Sequence, residues 1–140
     1  MNAELPRTDR ERTTIWLAAV VSWLGLLVHN VADLPDQHIY SPETSFPSVL
    51  LLIALALFAV RPRPGLVLLL VWSGLHILGA IFSVIPFDWL PFVPEQSNRH
   101  YAFHVLYLLT QIPLARLAFE HPRRDRTVHS YVVPATVADP

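Results

Sequence analysis

Four long stretches of this chain carry almost no charge, and they restrict its fold more than any other feature of the sequence. They cover residues 14–31, 46–60, 65–85 and 101–119, and they hold a single arginine, Arg116, near the end of the fourth. A helix needs about 20 mostly apolar residues to cross the hydrocarbon of a membrane, with a range of about 17–25. Three stretches meet this length, and the second, which begins beside Pro47, is short. The sequence therefore predicts four transmembrane helices.

The composition supports a membrane protein and excludes several kinds of chemistry. Only 15% of the residues are charged, whereas a soluble domain carries about 25%. The chain has no cysteine and its one methionine is Met1, which excludes disulfides, thiolate metal sites and methionine-rich copper sites. It contains no phosphate-binding loop, nucleophile elbow or dinucleotide fingerprint. We therefore expect no catalytic motif, no nucleic-acid partner and, on balance, no enzyme.

The arginines are distributed unevenly over the segments that join the four stretches. Nine of the ten lie in the N-terminal segment, in the link between the second and third stretches, or at the C-terminal end. The other two connections hold only Arg99, together with Asp33, Asp36, Glu43, Asp88 and Glu95. Because cytoplasmic segments carry the excess of basic residues, this bias places both termini in the cytoplasm.

These observations predict an all-α fold, an antiparallel four-helix bundle in the plasma (inner) membrane with both termini inside. Residues 1–13 form a cytoplasmic N-terminal tail, residues 14–119 the transmembrane domain, and residues 120–140 a cytoplasmic C-terminal tail. The lipid bilayer is then the main partner of the chain.

Local signals at the helix ends and at one proline add detail to this bundle. Ser97 and Asn98 are candidate caps for the fourth helix. Pro113 removes a backbone donor from the same helix, and Thr110 and Gln111 are expected to satisfy the freed backbone groups.

Polar and small residues recur at spacings of three and four in three of the stretches, which places them on one face of each helix. These are Ala18, Ser22, Gly25, His29 and Asp33 in the first, Ser73, His76, Ala80 and Ser83 in the third, and His100, His104, Tyr107 and Gln111 in the fourth. Helix interfaces in membranes favour small residues and hydrogen-bonding side chains. We therefore expect these faces to point into the bundle, with Ser22, Gly25, Ser73 and Ala80 at helix contacts.

Four histidines lie in the predicted outer half of the bundle and are candidate ligands. We predict that His29, His76 and His104 converge there, with His100 at the mouth. Imidazole together with carboxylate suits zinc, iron, manganese or copper(II), and Asp33, Asp36, Asp88 and Glu95 from the adjoining loops can orient the rings. A b-type haem held between His29 and His104 is a second form of the same hypothesis.

Two other interpretations remain open from the sequence alone. In the first, each histidine is a neutral ring with its own hydrogen-bond partner, and the chain is an accessory or structural subunit that associates with other membrane proteins or with itself. This is the leading interpretation, because no catalytic constellation is visible. In the second, the polar faces line the pathway of a small transporter or channel subunit.

The arginine bias gives a direct test of topology. Reporter fusions after Arg61 and at the C-terminus are expected to behave as cytoplasmic. Fusions within Pro35–Ser45 or Pro91–Asn98 are expected to behave as external, because the basic residues are concentrated on the other side. A cytoplasmic reporter signal from either of these two loops would contradict the four-span arrangement.

Overall fold

The computed structural model describes residues 7–89, 93 and 95–132, and the outer parts of both predicted tails, 1–6 and 133–140, lie outside these residues. The described chain folds into four helices: α1 (Arg7–Asp33), α2 (Pro42–Val60), α3 (Pro62–Phe82) and α4 (Asn98–Val132). All four are long and apolar enough to span a membrane. The predictions of an all-α fold and of four such helices are confirmed.

The helices extend beyond the apolar stretches of the sequence. α1 begins at Arg7 and α4 continues to Val132. A charged residue limits how much of a helix can lie in the hydrocarbon of the membrane, but it does not end the helix itself. α2 begins at Pro42, one turn before the predicted start, and carries Pro47 in its interior. The second span is therefore 19 residues long and is not unusually short.

Neighbouring helices run antiparallel in the order α1, α2, α3, α4, and α4 packs back against α1. The ends of α1 and α3 and the starts of α2 and α4 lie at one end of the bundle, which we call the long-loop end. The single residue Arg61 joins α2 to α3 at the other end, where α1 begins and α4 leaves the bundle. At the start of α4, Ser97 Oγ accepts a hydrogen bond from the amide of His100 at 3.1 Å, which confirms Ser97 as a helix cap.

The outer surface of the bundle is apolar on every helix. Leu17, Leu52, Leu75 and Leu109, one from each helix, are each more than half exposed. Monomeric soluble proteins rarely expose contiguous apolar surface on this scale. The surface is suited to contact with lipid chains.

The predicted small residues lie between helices. Ser22, Ser73 and Ala80 are buried, and a Cβ at Gly25 would stand 1.8 Å from Thr110 Oγ1. The glycine thus lets α1 approach α4 closely, as expected for membrane helix interfaces. The prediction that these four residues lie at helix contacts is confirmed.

Gln111 has a different role from the predicted one. It does not serve the backbone around Pro113: its Nε2 donates to the Ser22 carbonyl at 3.0 Å, and its Oε1 accepts from Ser22 Oγ. Thr110 Oγ1 donates to the Tyr107 carbonyl at 2.7 Å, whereas the carbonyl that Pro113 frees belongs to Leu109. The amide of Gln111 instead joins α4 to α1 in the middle of the bundle.

The tight link between α2 and α3 depends on Gly65. Arg61 accepts a hydrogen bond from the Gly65 amide at 3.1 Å and donates its own amide to the Leu57 carbonyl at 2.7 Å. A Cβ at Gly65 would lie 2.2 Å from the Cα of Phe58. Because the obstacle is backbone, a side chain at this position would push the two helices apart.

Gly65→Ala is therefore expected to lower the thermal unfolding temperature in detergent, since overpacking a buried contact costs about 1–3 kcal/mol. Gly74→Ala is the matched control in the same helix, where an added Cβ meets nothing within 4 Å. This control should be neutral or stabilising, because glycine in a helix costs about 0.5–1 kcal/mol relative to alanine. Equal unfolding temperatures for the two variants would argue against the close α2–α3 contact.

Candidate metal centre

Two pairs of side chains face each other at the long-loop end. His29 and Asp33 lie one turn apart at the end of α1, and His100 and His104 lie one turn apart at the start of α4. Antiparallel packing of these helices brings the pairs together, so that one ligand atom from each residue lies within 4.8 Å of the others. All three histidines are buried, and the Asp33 side chain is 2% exposed.

The closest approaches within this group join α1 to α4. His29 Nε2 lies 2.9 Å from His104 Nε2. Asp33 Oδ2 lies 2.6 Å from His100 Nδ1 and 3.9 Å from His29 Nε2. Buried carboxylates and imidazoles that share one small volume are typical of metal sites and of charge-paired networks.

The other ring nitrogen of His104 identifies its tautomer. His104 Nδ1 lies 3.0 Å from the Ala80 carbonyl on α3. A carbonyl oxygen only accepts, so this nitrogen carries the hydrogen. In the neutral ring, Nε2 then bears a lone pair, and this lone pair points toward His29.

The tautomer of His29 follows from its neighbour Asn30. Asn30 Nδ2 donates to the Glu43 carbonyl and to Thr44 Oγ1 on α2, both at 3.0 Å. This orients the amide with its oxygen toward His29, whose Nδ1 lies 2.9 Å away and donates to it. His29 Nε2 therefore also bears a lone pair in the neutral ring, and it points toward His104.

Two lone pairs that face each other at 2.9 Å repel unless a positive charge lies between them. A proton shared by the two rings can supply that charge, and so can a metal ion. Asp33 stands beside the pair and balances an added positive charge in either case. The geometry is therefore compatible with a shared proton or with a metal ion between the two rings.

The separations among the four ligand atoms can be compared with those of a tetrahedral zinc site. Bonds of about 2.0–2.1 Å place neighbouring ligand atoms about 3.3–3.4 Å apart. The separations of 2.6, 2.9 and 3.9 Å in this group fall on both sides of that value. All four ligand atoms lie within 4.8 Å of one another, which makes the group a candidate for holding one ion.

The structure places His76 outside this group. Its Nδ1 donates to the Trp72 carbonyl at 2.7 Å, and its ring stacks on the Trp72 indole at a centroid distance of 3.9 Å. His76 approaches the group only through Tyr107, whose ring lies between His76 and His29 at centroid distances of 6.0 and 5.1 Å. Of the predicted ligands, the structure brings together His29, His100 and His104, and Asp33 joins them instead of His76.

The arrangement favours a small ion over a haem. A porphyrin bound by His29 and His104 has to pass between their Nε2 atoms, which are 2.9 Å apart. The ring of His100 also packs against His104 at a centroid distance of 4.3 Å. The space between the two predicted axial ligands thus does not match a flat macrocycle.

Comparison of the chain with family models, with curated protein sequences and with solved structures gives no match.

Sequence reasoning did not single out Asn30, although it lies beside His29 in a charge-free stretch. It is not on the polar face of α1 that contains His29, because consecutive residues of a helix point in different directions. A buried amide inside a membrane span is itself a signal, since every polar group there needs a partner.

Proposed function

We propose that this chain is a membrane protein that holds one divalent metal ion, with zinc the best match, between its first and last helices. The ligands are His29, Asp33, His100 and His104. The supporting observation is the pair of facing Nε2 atoms on His29 and His104, each with its Nδ1 hydrogen committed to a neighbouring oxygen. Metal-binding histidines usually donate their second nitrogen to an oxygen in this way.

The donor set favours a structural role for the ion. Structural zinc sites use four protein ligands, whereas catalytic sites use three and keep a position for water or substrate. Here four side chains, all from α1 and α4, place ligand atoms within 4.8 Å of one another. The ion would fasten these two helices together, in keeping with a non-enzymatic accessory or structural subunit.

The interior below the centre argues against a transport pathway. Beyond the Ser22–Gln111 pair, the space between α1 and α4 is occupied by Ile15, Leu114 and Ala118, which are all at most 2% exposed. Among the described residues, no continuous polar path therefore leads from the centre to the opposite end of the bundle.

The proposal also includes a location. We place the chain in the plasma membrane with both termini in the cytoplasm, on the arginine distribution. The long-loop end then faces outward, and the ion reaches the centre from outside the cell.

Zinc titration of the purified protein, freed of metal with a chelator and held in detergent or nanodiscs, tests the binding. We expect one zinc per chain and a higher unfolding temperature, because a ligand that binds only the folded state stabilises it, by about 2.7 kcal/mol at a hundred times its dissociation constant. His29→Ala and His104→Ala should each weaken binding by more than the ~10–100-fold typical of an outer-shell change.

His76→Ala is the matched control, because His76 lies in the same half of its span but outside the group. It should retain the zinc stoichiometry and affinity of the wild type. Binding that survives the loss of His29 and His104, or that depends on His76, would refute the proposed centre. A haem absorption band that depends on His29 and His104 would restore the redox interpretation.

The facing lone pairs predict that zinc competes with a proton. A proton shared by the two rings in the metal-free protein would be displaced by the ion. The charged and titratable groups around the rings are Asp33, His100 and Tyr107. We expect about one proton released per zinc near neutral pH, measured by calorimetry in buffers that differ in ionisation enthalpy, and weaker binding as the pH falls. Binding heats that do not depend on the buffer would exclude the shared proton.

A further inference from the structure

We propose that Asn30 is the positioning residue of this centre: it holds the His29 ring so that Nε2 faces the ion, and it is itself anchored to a carbonyl that Pro47 leaves free on α2. The inference rests on the proposed metal centre and adds to it the residue that determines how His29 binds.

The anchor begins with the proline inside α2. Pro47 has no amide hydrogen, so the carbonyl four residues earlier, that of Glu43, has no donor within the helix. In a membrane span such a group needs a partner from elsewhere in the protein. Asn30 Nδ2 supplies it from α1 at 3.0 Å, which gives the proline and the asparagine a common explanation.

This anchor fixes which way the amide of Asn30 points. If the amide were reversed, its oxygen would face the Glu43 carbonyl and two acceptors would repel each other. The same Nδ2 also donates to Thr44 Oγ1 at 3.0 Å. Both contacts on α2 therefore direct Oδ1 toward His29 Nδ1, which lies 2.9 Å away.

Of the two groups that orient the facing rings, Asn30 is the one that a substitution can remove. His104 is oriented by a backbone oxygen, that of Ala80, which no side-chain substitution removes. His29 is oriented by a side chain, and Asn30 is 4% exposed, so water has little access to take its place. Without the amide, the His29 ring is free to turn or to exchange tautomers, and the ion loses a fixed ligand.

The first test compares three variants by zinc titration. Asn30→Ala removes both the oxygen and the anchor and is expected to weaken zinc binding by ~10–100-fold, as for other outer-shell partners. Asn30→Asp keeps an oxygen for the His29 Nδ1 hydrogen but places its second oxygen against the Glu43 carbonyl, so it should recover part of the lost affinity and bind zinc more tightly than Asn30→Ala. Ser48→Ala is the matched control, because it removes a hydrogen bond between α1 and α2, the one that Ser48 Oγ accepts from Trp23 Nε1, and leaves Asn30 and its partners in place; its affinity should equal that of the wild type.

A purely structural role for Asn30 predicts a different pattern, in which Asn30→Asp binds as weakly as Asn30→Ala because both lose the tie to α2. That result would overturn the proposal. Wild-type affinity in Asn30→Ala would overturn it as well. If the wild type itself binds no zinc, the proposed function fails and this inference fails with it, whereas normal wild-type binding with an indifferent Asn30 removes only the inference.

A second measurement needs no variant and so does not depend on whether one folds. The wild-type chain, labelled with nitrogen-15 at histidine and loaded with cadmium-113, reports by NMR coupling which ring nitrogen binds the metal. We expect coupling at Nε2 of His29 and of His104, with both Nδ1 atoms still protonated. Coupling at Nδ1 of His29 would contradict the role assigned to Asn30.

Discussion

A polar group inside hydrocarbon has to find its partner within the protein, and the interior of this bundle is organised by that requirement. The outward faces of the four helices are apolar, so the hydrogen-bonding side chains lie between helices. Trp23 Nε1 donates to Ser48 Oγ, and Trp72 Nε1 donates to the Pro47 carbonyl, which tie α2 to α1 and to α3. The histidine-rich end is the largest accumulation of such groups among the described residues.

The four helices make different contributions at the long-loop end. α1 and α4 carry the side chains whose atoms converge, whereas α2 and α3 contribute the backbone carbonyls of Glu43 and Ala80, which orient the rings. One of these contacts is direct, and the other passes through Asn30. The α2–α3 hairpin, closed tightly at Gly65, thus holds the centre in place without supplying a ligand to it.

The sequence was enough to find the helices and their inward faces, because a charge-free stretch and a spacing of three and four are local properties. It placed His76 at the centre because the residue lies on the polar face of its helix. The sequence does not give the depth of His76 in the membrane relative to His29 and His104. That depth depends on the axial position of α3 against its neighbours, which helix packing determines. Asp33 was placed on the same helix face as His29 but was expected to orient a ring rather than to be a ligand, and the structure continues α1 to Asp33, one turn from His29. The role of Asn30 depends on a carbonyl freed by a proline in another helix, and no local pattern contains that information.

The position of the centre along the chain has a consequence for how the protein is made. His29 and His104 are 75 residues apart, and Asp33 and His100 are 67 apart. An ion bound to all four residues would close most of the bundle into a loop. Closing a long loop lowers the conformational entropy of the unfolded chain more than closing a short one does. The ligands from α1 also have no counterpart until α4 has been synthesised and inserted. A nascent chain that stops after α3 would therefore have half of the proposed binding site, and metal capture there would mark the completion of the bundle.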